Sequence, residues 1–183
     1  MKKDNFEIAN RFSLNFKKIT FLFIVIFVFS ACQTNEYDLT GITGSKAPDF
    51  SLTSTDGGII NLFDYNNKVI VLFFFGNDSP ASKTIAQDIE KTLIDSTDNK
   101  SDFVVLGVDF FNGNMNSVRA FKRETSSTYP LLLNAGNVGT VYNTTYNRIV
   151  IIDQKQNIVF SGTQDASKDI TTVKEKLNNL LAK

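Results

Sequence analysis

The chain has 183 residues, and its 19 basic and 19 acidic side chains give a formal net charge of zero. It contains no histidine and a single cysteine, Cys32. One thiol excludes an intramolecular disulfide, a Cys-x-x-Cys redox pair and a cysteine-rich metal site. The lack of imidazole removes the usual metal ligand and the usual general base at neutral pH. The composition therefore excludes most enzyme chemistries, and we expect neither a metal nor a cofactor.

Residues 1–31 are typical of a bacterial lipoprotein signal peptide. Five lysine and arginine side chains precede or border an apolar run at residues 19–29. A helix of that length extends about 17 Å, against about 30 Å of hydrocarbon in a bilayer. The run ends in Phe29-Ser30-Ala31-Cys32, which resembles the lipobox, where cleavage precedes a cysteine that is then acylated. The alternative is an uncleaved N-terminal anchor in which Cys32 has no such role.

After the signal peptide we expect a lipidated cysteine with a tether at residues 32–46 and one folded domain at residues 47–183. The tether is polar, contains glycine and shows no periodicity. The 152 residues that follow the signal peptide carry 14 basic and 17 acidic side chains, a balance that does not favour nucleic acid. The expected location is the bacterial cell envelope, lipid-anchored through acylated Cys32 and facing the periplasm or the outer-membrane surface.

The folded part alternates predicted strands with predicted helices, which indicates a three-layer α/β domain. Apolar runs predict strands at residues 59–62, 69–75, 103–110, 131–133, 148–153 and 157–161, the last two as a hairpin. Helical periodicity predicts helices at residues 82–97, 118–125 and 168–181, the last with Ser167 as its N-cap.

Four phrases, in order and spacing, resemble the redoxin branch of the thioredoxin superfamily. They are residues 44–52 (GSKAPDFSL), 60–72, 105–109 and 151–153. This branch comprises membrane-anchored thiol-disulfide oxidoreductases and peroxiredoxins of the alkyl hydroperoxide reductase and thiol-specific antioxidant type. The resemblance covers residues 44–182, and it implies a thioredoxin-like three-layer sandwich with a central mixed β-sheet flanked by helices.

The active-site turn departs from that family. After the first central strand the oxidoreductases carry Cys-x-x-Cys and the peroxiredoxins Thr-x-x-Cys, whereas this chain reads Ser79-Pro80-Ala81-Ser82. A helix N-terminus lowers a thiol pKa enough to populate thiolate, but a serine hydroxyl has a far higher pKa and no redox couple. The family's cis-proline is expected at Asn147, and the arginine of peroxiredoxins falls one position from Arg148. The resemblance therefore implies a domain with no catalytic residue.

Both a structural and a catalytic interpretation of the polar residues remain open. Ser79 and Ser82 are helix-capping residues, or one of them is a nucleophile activated by Lys83, since Ser-Lys pairs function without histidine. Adjacent residues in a helix do not face each other, which disfavours that pair. Asp78 and Asp109 form a carboxylate pair for acid-base work or a hard cation, or they are ordinary turn residues.

Two tyrosines near Asn147 also have two interpretations. Tyr142 and Tyr146 line a groove, or they pack on a helix at i, i+4 spacing.

The leading hypothesis is a redox-inactive module that binds an envelope protein or peptide. In active relatives the groove between the cysteine turn and the cis-proline loop holds an extended peptide, and the helix N-terminus offers donors to a carbonyl or carboxylate. The resemblance implies an equivalent groove lined by Gly76, Asn77, Asp78, Ser79, Pro80, Ser82, Tyr146, Asn147 and Arg148.

The alternative functions are a thiol-disulfide oxidoreductase or peroxiredoxin-related enzyme of the envelope, and a structural spacer. An apolar concavity around residues 79–82, which we call the serine turn, and residues 142–148 would favour binding, and a uniformly charged surface would favour the spacer.

Overall fold

A computed structural model describes residues 41–98 and 101–182. The predicted signal peptide, Cys32 and most of the predicted tether lie outside the described residues. Within them the chain forms the strands β1 (Ser51–Thr53), β2 (Ile59–Asn61), β3 (Val69–Phe75), β4 (Phe103–Asp109), β5 (Leu131–Leu132), β6 (Arg148–Ile152) and β7 (Ile158–Ser161). The helices are α1 (Pro80–Ile89), which continues as a π-helical segment (Glu90–Ile94), α2 (Met115–Thr125), α3 (Gly136–Val141) and α4 (Ala166–Leu181), with a 3-10 turn at Leu62–Tyr65.

Five strands form one mixed sheet in the order β5-β4-β3-β6-β7. Strands β3, β4 and β5 are parallel, whereas β6 runs antiparallel to both β3 and β7. The parallel pair β3 and β4 needs a crossover, which α1 supplies, and the antiparallel pair β6 and β7 needs only a hairpin. Strands β1 and β2 form a separate antiparallel ribbon. The predicted mixed sheet flanked by helices is confirmed.

Strand β3 separates two cores, because all seven of its residues are buried. Its odd-numbered side chains, such as Phe73 and Phe75, pack with apolar residues of α1, α2 and α4. Its even-numbered side chains, such as Phe74, pack with Leu62, with Tyr142 and with residues that precede β1. The period of two sends alternate side chains to opposite faces, so each face of the sheet has its own apolar layer.

A segment at the start of the domain pairs with both edges of the sheet. The N–H of Gly44 donates to the carbonyl of Ile158 on β7 at 2.8 Å. Eleven residues later the N–H of Thr55 donates to the carbonyl of Leu131 on β5, the opposite edge, at 2.9 Å. Backbone pairing therefore begins at residue 44, inside the predicted tether and before the predicted domain boundary at residue 47.

Two helix predictions need correction. Helix α4 begins at Ala166 with Asp165 in the N-cap position, so the prediction of Ser167 as N-cap is wrong, and the hydroxyl of Ser167 instead donates to the carboxylate of Asp165. Helix α3 was not expected, since a six-residue segment with two glycines has weak helix propensity and too few turns to show periodicity. Among residues 41–98 and 101–182, no helix has the length and apolar character needed to cross a membrane.

Candidate functional site

The serine turn joins the end of β3 to the start of α1. Ser79 is the N-cap, and its hydroxyl accepts from the N–H of Ser82 at 3.2 Å. Pro80 follows at the first helical position, where its fixed φ suits the helix and its missing N–H leaves no donor unpaired. The interpretation of Ser79 as a capping residue is confirmed, and the helix starts two residues earlier than the apolar periodicity predicts.

Ser82 has a different role, because its side chain is fully buried. Its hydroxyl accepts from the N–H of Gly76 at 3.0 Å and donates to the Oδ1 of Asn147. Both hydrogen-bonding functions of the hydroxyl are therefore used. Ser82 joins the turn after β3 to the loop before β6, and it does not cap α1.

Asn147 connects this turn to three parts of the fold. Its N–H donates to the carbonyl of Phe74 on β3 at 2.6 Å, and its carbonyl accepts from the N–H of Ala166, the first residue of α4, at 2.9 Å. Its φ of 61° lies in the left-handed region, which asparagine tolerates better than most residues. The structure therefore brings Ser82 and Asn147 together, although 65 residues separate them in the chain.

The side chain of Lys83 is paired with a residue other than Ser82. Its Nζ lies 2.6 Å from the Oε2 of Glu124 on α2. The hydrogen bond and the positive charge of Lys83 hold the pKa of the Glu124 carboxyl below its ordinary value. The structure does not form the Ser-Lys pair that one interpretation required.

Two half-exposed aromatic rings lie beside the turn. Phe111 and Tyr146 meet edge to face with ring centroids 4.6 Å apart, and they are 43% and 38% exposed. A Cβ added to Gly76 would lie 2.6 Å from the ring of Phe111, so the backbone of the turn approaches this ring closely. We define Phe111 and Tyr146 as the aromatic pair. They place an apolar surface next to the serine turn.

Sequence reasoning missed Phe111. The available signal was an aromatic residue directly after a predicted strand and before Asn112-Gly113, a turn-forming dipeptide. At a turn, such a side chain packs against the neighbouring segment of the chain. For Phe111 the neighbouring segment is the backbone at Gly76. The packing of β4 beside β3 brings Gly76 there.

Asp109 holds the loop that carries Phe111. Its buried carboxylate accepts from the N–H of Phe111 at 3.3 Å and from the N–H of Gly113. Burial raises the pKa of this carboxyl above its ordinary value, and the charge of Asp78 adds to the rise, whereas the backbone hydrogen bonds oppose it. The Asp109 carboxylate is held by backbone N–H groups of its own loop and of Asn77, so it orders the two adjacent turns.

The described part of the chain has no group of three or more His, Cys, Asp and Glu side chains placed to hold a metal ion.

Asn77 is buried, and its Nδ2 donates to the hydroxyl of Ser117 on α2 at 2.8 Å. This hydrogen bond connects the turn after β3 to α2.

The predictions for Tyr142 and Arg148 need revision. Tyr142 lies outside any helix, is fully buried, and donates from its hydroxyl to the carbonyl of Pro48 at 2.7 Å, so it belongs to the core. Burial raises the pKa of its hydroxyl. Arg148 is in register with Phe74, whose side chain packs on the face opposite α1, and its Nη1 donates to the carbonyl of Gly162 at 2.6 Å. Only Tyr146 of these three remains beside the turn.

We predict that Ser82→Ala lowers the free energy of unfolding by about 2 to 4 kcal/mol. It leaves the N–H of Gly76 and the Oδ1 of Asn147 buried without their partner, and each such group costs about 1–3 kcal/mol. Ser79→Ala removes an N-cap and should cost about 1 kcal/mol. Urea denaturation of both variants measures the difference. A Ser82→Ala loss no larger than the Ser79→Ala loss would contradict the role given to Ser82.

A second prediction concerns pH. Because the pKa of Asp109 is higher in the folded than in the unfolded state, the folded state binds the proton more tightly. The free energy of unfolding should therefore fall as pH rises from about 3.8 through the raised pKa. Asp109→Asn removes this contribution. Urea denaturation between about pH 3 and pH 8 should show the variant gaining stability relative to the wild type across that window. A difference that does not change with pH would refute the assignment.

Comparisons with known proteins identify the family and the fold. The AhpC/TSA family model matches residues 43–161. A Mycobacterium tuberculosis protein named "Putative peroxiredoxin", found in two strains, is 29% identical over 92 residues, which are 49% of this chain and 55% of the relative. The matched segment thus spans about half the length of these curated relatives.

Solved structures extend the likeness to most of the chain. The solution structure of a "putative protein disulfide isomerase" from Bacteroides thetaiotaomicron is 27% identical, covers 77% of this chain and 91% of its own, and superposes with a TM-score of 0.69. The crystal structure of a "putative Thiol:disulfide interchange protein DsbE" from Chlorobium tepidum covers 72% and 96% with a TM-score of 0.60 at 16% identity, which shows the fold alone. Because the family model covers more than half of the chain, the protein belongs to the AhpC/TSA family and its domain has the thioredoxin-like fold.

Proposed function

We propose that this protein is a lipid-anchored envelope protein whose thioredoxin-like domain binds an extended polypeptide and has lost redox catalysis. The observation that carries the proposal is the state of Ser82. Its hydroxyl lies in the first turn of α1, where the family resemblance places a redox cysteine, and it is buried with both hydrogen-bonding functions used. A group in that state supports the local structure and has no access to a substrate.

The loss of redox chemistry follows from the residue types. Ser79 and Ser82 occupy the two positions that we equate with the family cysteines, and a serine hydroxyl has no accessible redox couple. The chain has one cysteine, Cys32, and no histidine. Transfer of a disulfide within the chain needs two thiols, and peroxide reduction needs a thiolate beside the turn.

Binding is supported by the aromatic pair. Aromatic rings contribute large apolar areas at interfaces, and such residues frequently dominate the binding energy. The helix N-terminus offers less than the resemblance implies, because Pro80 has no N–H and Ser79 caps the N–H of Ser82. Ala81 supplies the remaining donor of the first turn. We therefore assign recognition mainly to the rings of Phe111 and Tyr146, with a hydrogen bond to the turn.

The anchor is supported by the sequence before the domain. The order of basic residues, apolar run and small residues before Cys32 is typical of a lipoprotein signal, and backbone pairing with the sheet starts soon afterwards, at Gly44. Each buried methylene of an acyl chain contributes about 0.8 kcal/mol to membrane affinity, so several chains hold the protein firmly. The partner of the domain is then a protein or peptide of the envelope.

The binding proposal is tested with the full chain and a phage-displayed library of short random peptides. The wild type should enrich specific sequences, and fluorescence polarisation should show that Phe111→Ser with Tyr146→Ser weakens the best peptide about tenfold or more, because interface aromatics commonly contribute 2 kcal/mol or more.

Phe63→Ser is the matched control, since Phe63 is also 43% exposed but lies in the 3-10 turn after β2. It should leave the peptide affinity unchanged. If no sequence is enriched, or if the aromatic double variant binds as tightly as the control, the domain is a spacer.

A second candidate is an oxidoreductase of the envelope. The family membership favours it, but no residue of the serine turn supports it. We predict that the wild type neither reduces insulin disulfides nor consumes hydrogen peroxide above a protein-free control. In a Cys32→Ser background, Ser79→Cys with Ser82→Cys should form an internal disulfide, detected by mass spectrometry before and after alkylation, because these positions lie at the N-cap and third residue of one helix.

Ser79→Cys alone is the control and should remain a free thiol. Turnover by the wild type would overturn the loss of redox catalysis. A double variant that stays reduced under oxidising conditions would contradict the equivalence of the turn with the family's Cys-x-x-Cys.

A further inference from the structure

A basic pocket lies on a different part of the domain from the aromatic pair. Its volume is about 430 Å³, and it is lined by Thr55, Asp56, Arg119, Lys122, Arg123, Ser126 and Ser127. The turn between β1 and β2 forms one wall, and the C-terminal half of α2 with the residues after it forms the other. The loop of Phe111 precedes the first residue of α2, so the two surfaces lie at opposite ends of this helix.

The charges of the pocket are unbalanced. Three cations face one carboxylate, although the chain after the predicted signal peptide has more acidic than basic side chains. Lys122 is paired with Asp56, with its Nζ 2.7 Å from both carboxylate oxygens. Arg123 forms no ion pair within the described residues. The lining therefore carries an excess of two positive charges.

Arg119 is held in position before any ligand arrives. Its Nε and Nη2 donate to the carbonyl of Thr55 at 3.1 and 2.9 Å. A guanidinium has five N–H donors, so these two bonds orient the side chain and leave three donors for a ligand. A preorganised arginine loses less conformational entropy when it binds an anion.

Thr55 adds an independent observation. It is 3% exposed, and its hydroxyl has no hydrogen-bond partner within the described part of the domain. Buried hydroxyls are almost always hydrogen-bonded, so this one is an unused donor in the same residue whose carbonyl holds Arg119. Beside it, Ser126 has a left-handed backbone that ends α2 and leaves this residue at the surface of the pocket.

We propose that this pocket binds a phosphate group. Arginine forks match phosphate oxygens in geometry and charge, and hydroxyl donors complete the coordination of a group that has several acceptor oxygens. The phosphate belongs either to a free phosphate compound or to the headgroup of an anionic lipid, and both present the same chemistry to the pocket. Asp56 opposes binding, because it repels the ligand and occupies Lys122.

The test uses the full chain in a mild detergent and two probes, which are inorganic phosphate and vesicles of phosphatidylglycerol in phosphatidylcholine. Isothermal titration calorimetry measures phosphate at constant ionic strength, and flotation measures vesicle binding against pure phosphatidylcholine. Every protein in the vesicle assay carries Cys32→Ser, so that no acyl chain anchors it. The N-terminal segment is otherwise identical in all variants, so differences between variants report on the pocket.

Arg123→Gln should weaken binding of the effective probe about fivefold, and Asp56→Asn should tighten it about fivefold, as expected for gain or loss of one charge contact. Lys91→Gln, an exposed cation after α1, is the charge-matched control and should change nothing. The gain in Asp56→Asn separates binding from a structural role, because removing an ion pair that only stabilises the fold cannot tighten a ligand.

A response of this pattern to inorganic phosphate supports a free phosphate compound as ligand, and a response to anionic vesicles alone supports the lipid headgroup. Binding of neither probe, or binding that Arg123→Gln and Asp56→Asn leave unchanged, would overturn the proposal.

Discussion

The complete burial of strand β3 is the constraint on which the other elements depend. A strand that is covered on both faces needs a helical layer on one side and a second apolar layer on the other, and the two cores on either side of β3 meet that need. After the carboxyl end of β3 the chain turns at Gly76 and enters α1, because the parallel neighbour β4 can be reached only through a crossover. Loops and helix starts after central parallel strands are the common place for function in such sheets, and the serine turn lies there.

At that turn, the buried hydroxyl of Ser82 supplies local order through its hydrogen bonds to Gly76 and Asn147. The hydroxyl connects the turn to Asn147, whose backbone bonds to β3 and α4, so three elements converge on one buried group. A buried polar network whose members are all satisfied makes a site rigid and unique in geometry. Rigidity of this kind suits the binding surface that we propose, since a rigid protein loses little conformational entropy when a ligand binds. The aromatic pair stands on this frame.

Much of the architecture was predictable from the sequence because it depends on periodicity. The apolar run of β3 and the spacing of apolar residues in α4 report burial directly, and their bounds were predicted exactly or within two residues. Other features depend on contacts between distant residues. Phe111 packs beside the turn because the backbone of Gly76 lies against its ring. Tyr142 is buried in the same layer as the residues before β1 and bonds to Pro48, 94 residues away in the chain. Arg148 lies on the face opposite α1 because of its register with Phe74. No local pattern contains these pairings, so the aromatic pair and the true membership of the site required the structure.

The segment at residues 44–55, which pairs with β7 at one end and β5 at the other, links the fold to the order in which the chain is made. Its partners at residues 131–133 and 156–158 are synthesised long after it, so its hydrogen bonds close only when nearly the whole domain is present. Contacts of such high sequence separation raise contact order and slow folding. Until they form, both outer strands keep unpaired N–H and C=O groups, which are templates for pairing with other chains. The start of the domain therefore completes the sheet only after β5 and β7 have formed, and a chain that lacks β7 keeps an unpaired edge on β6.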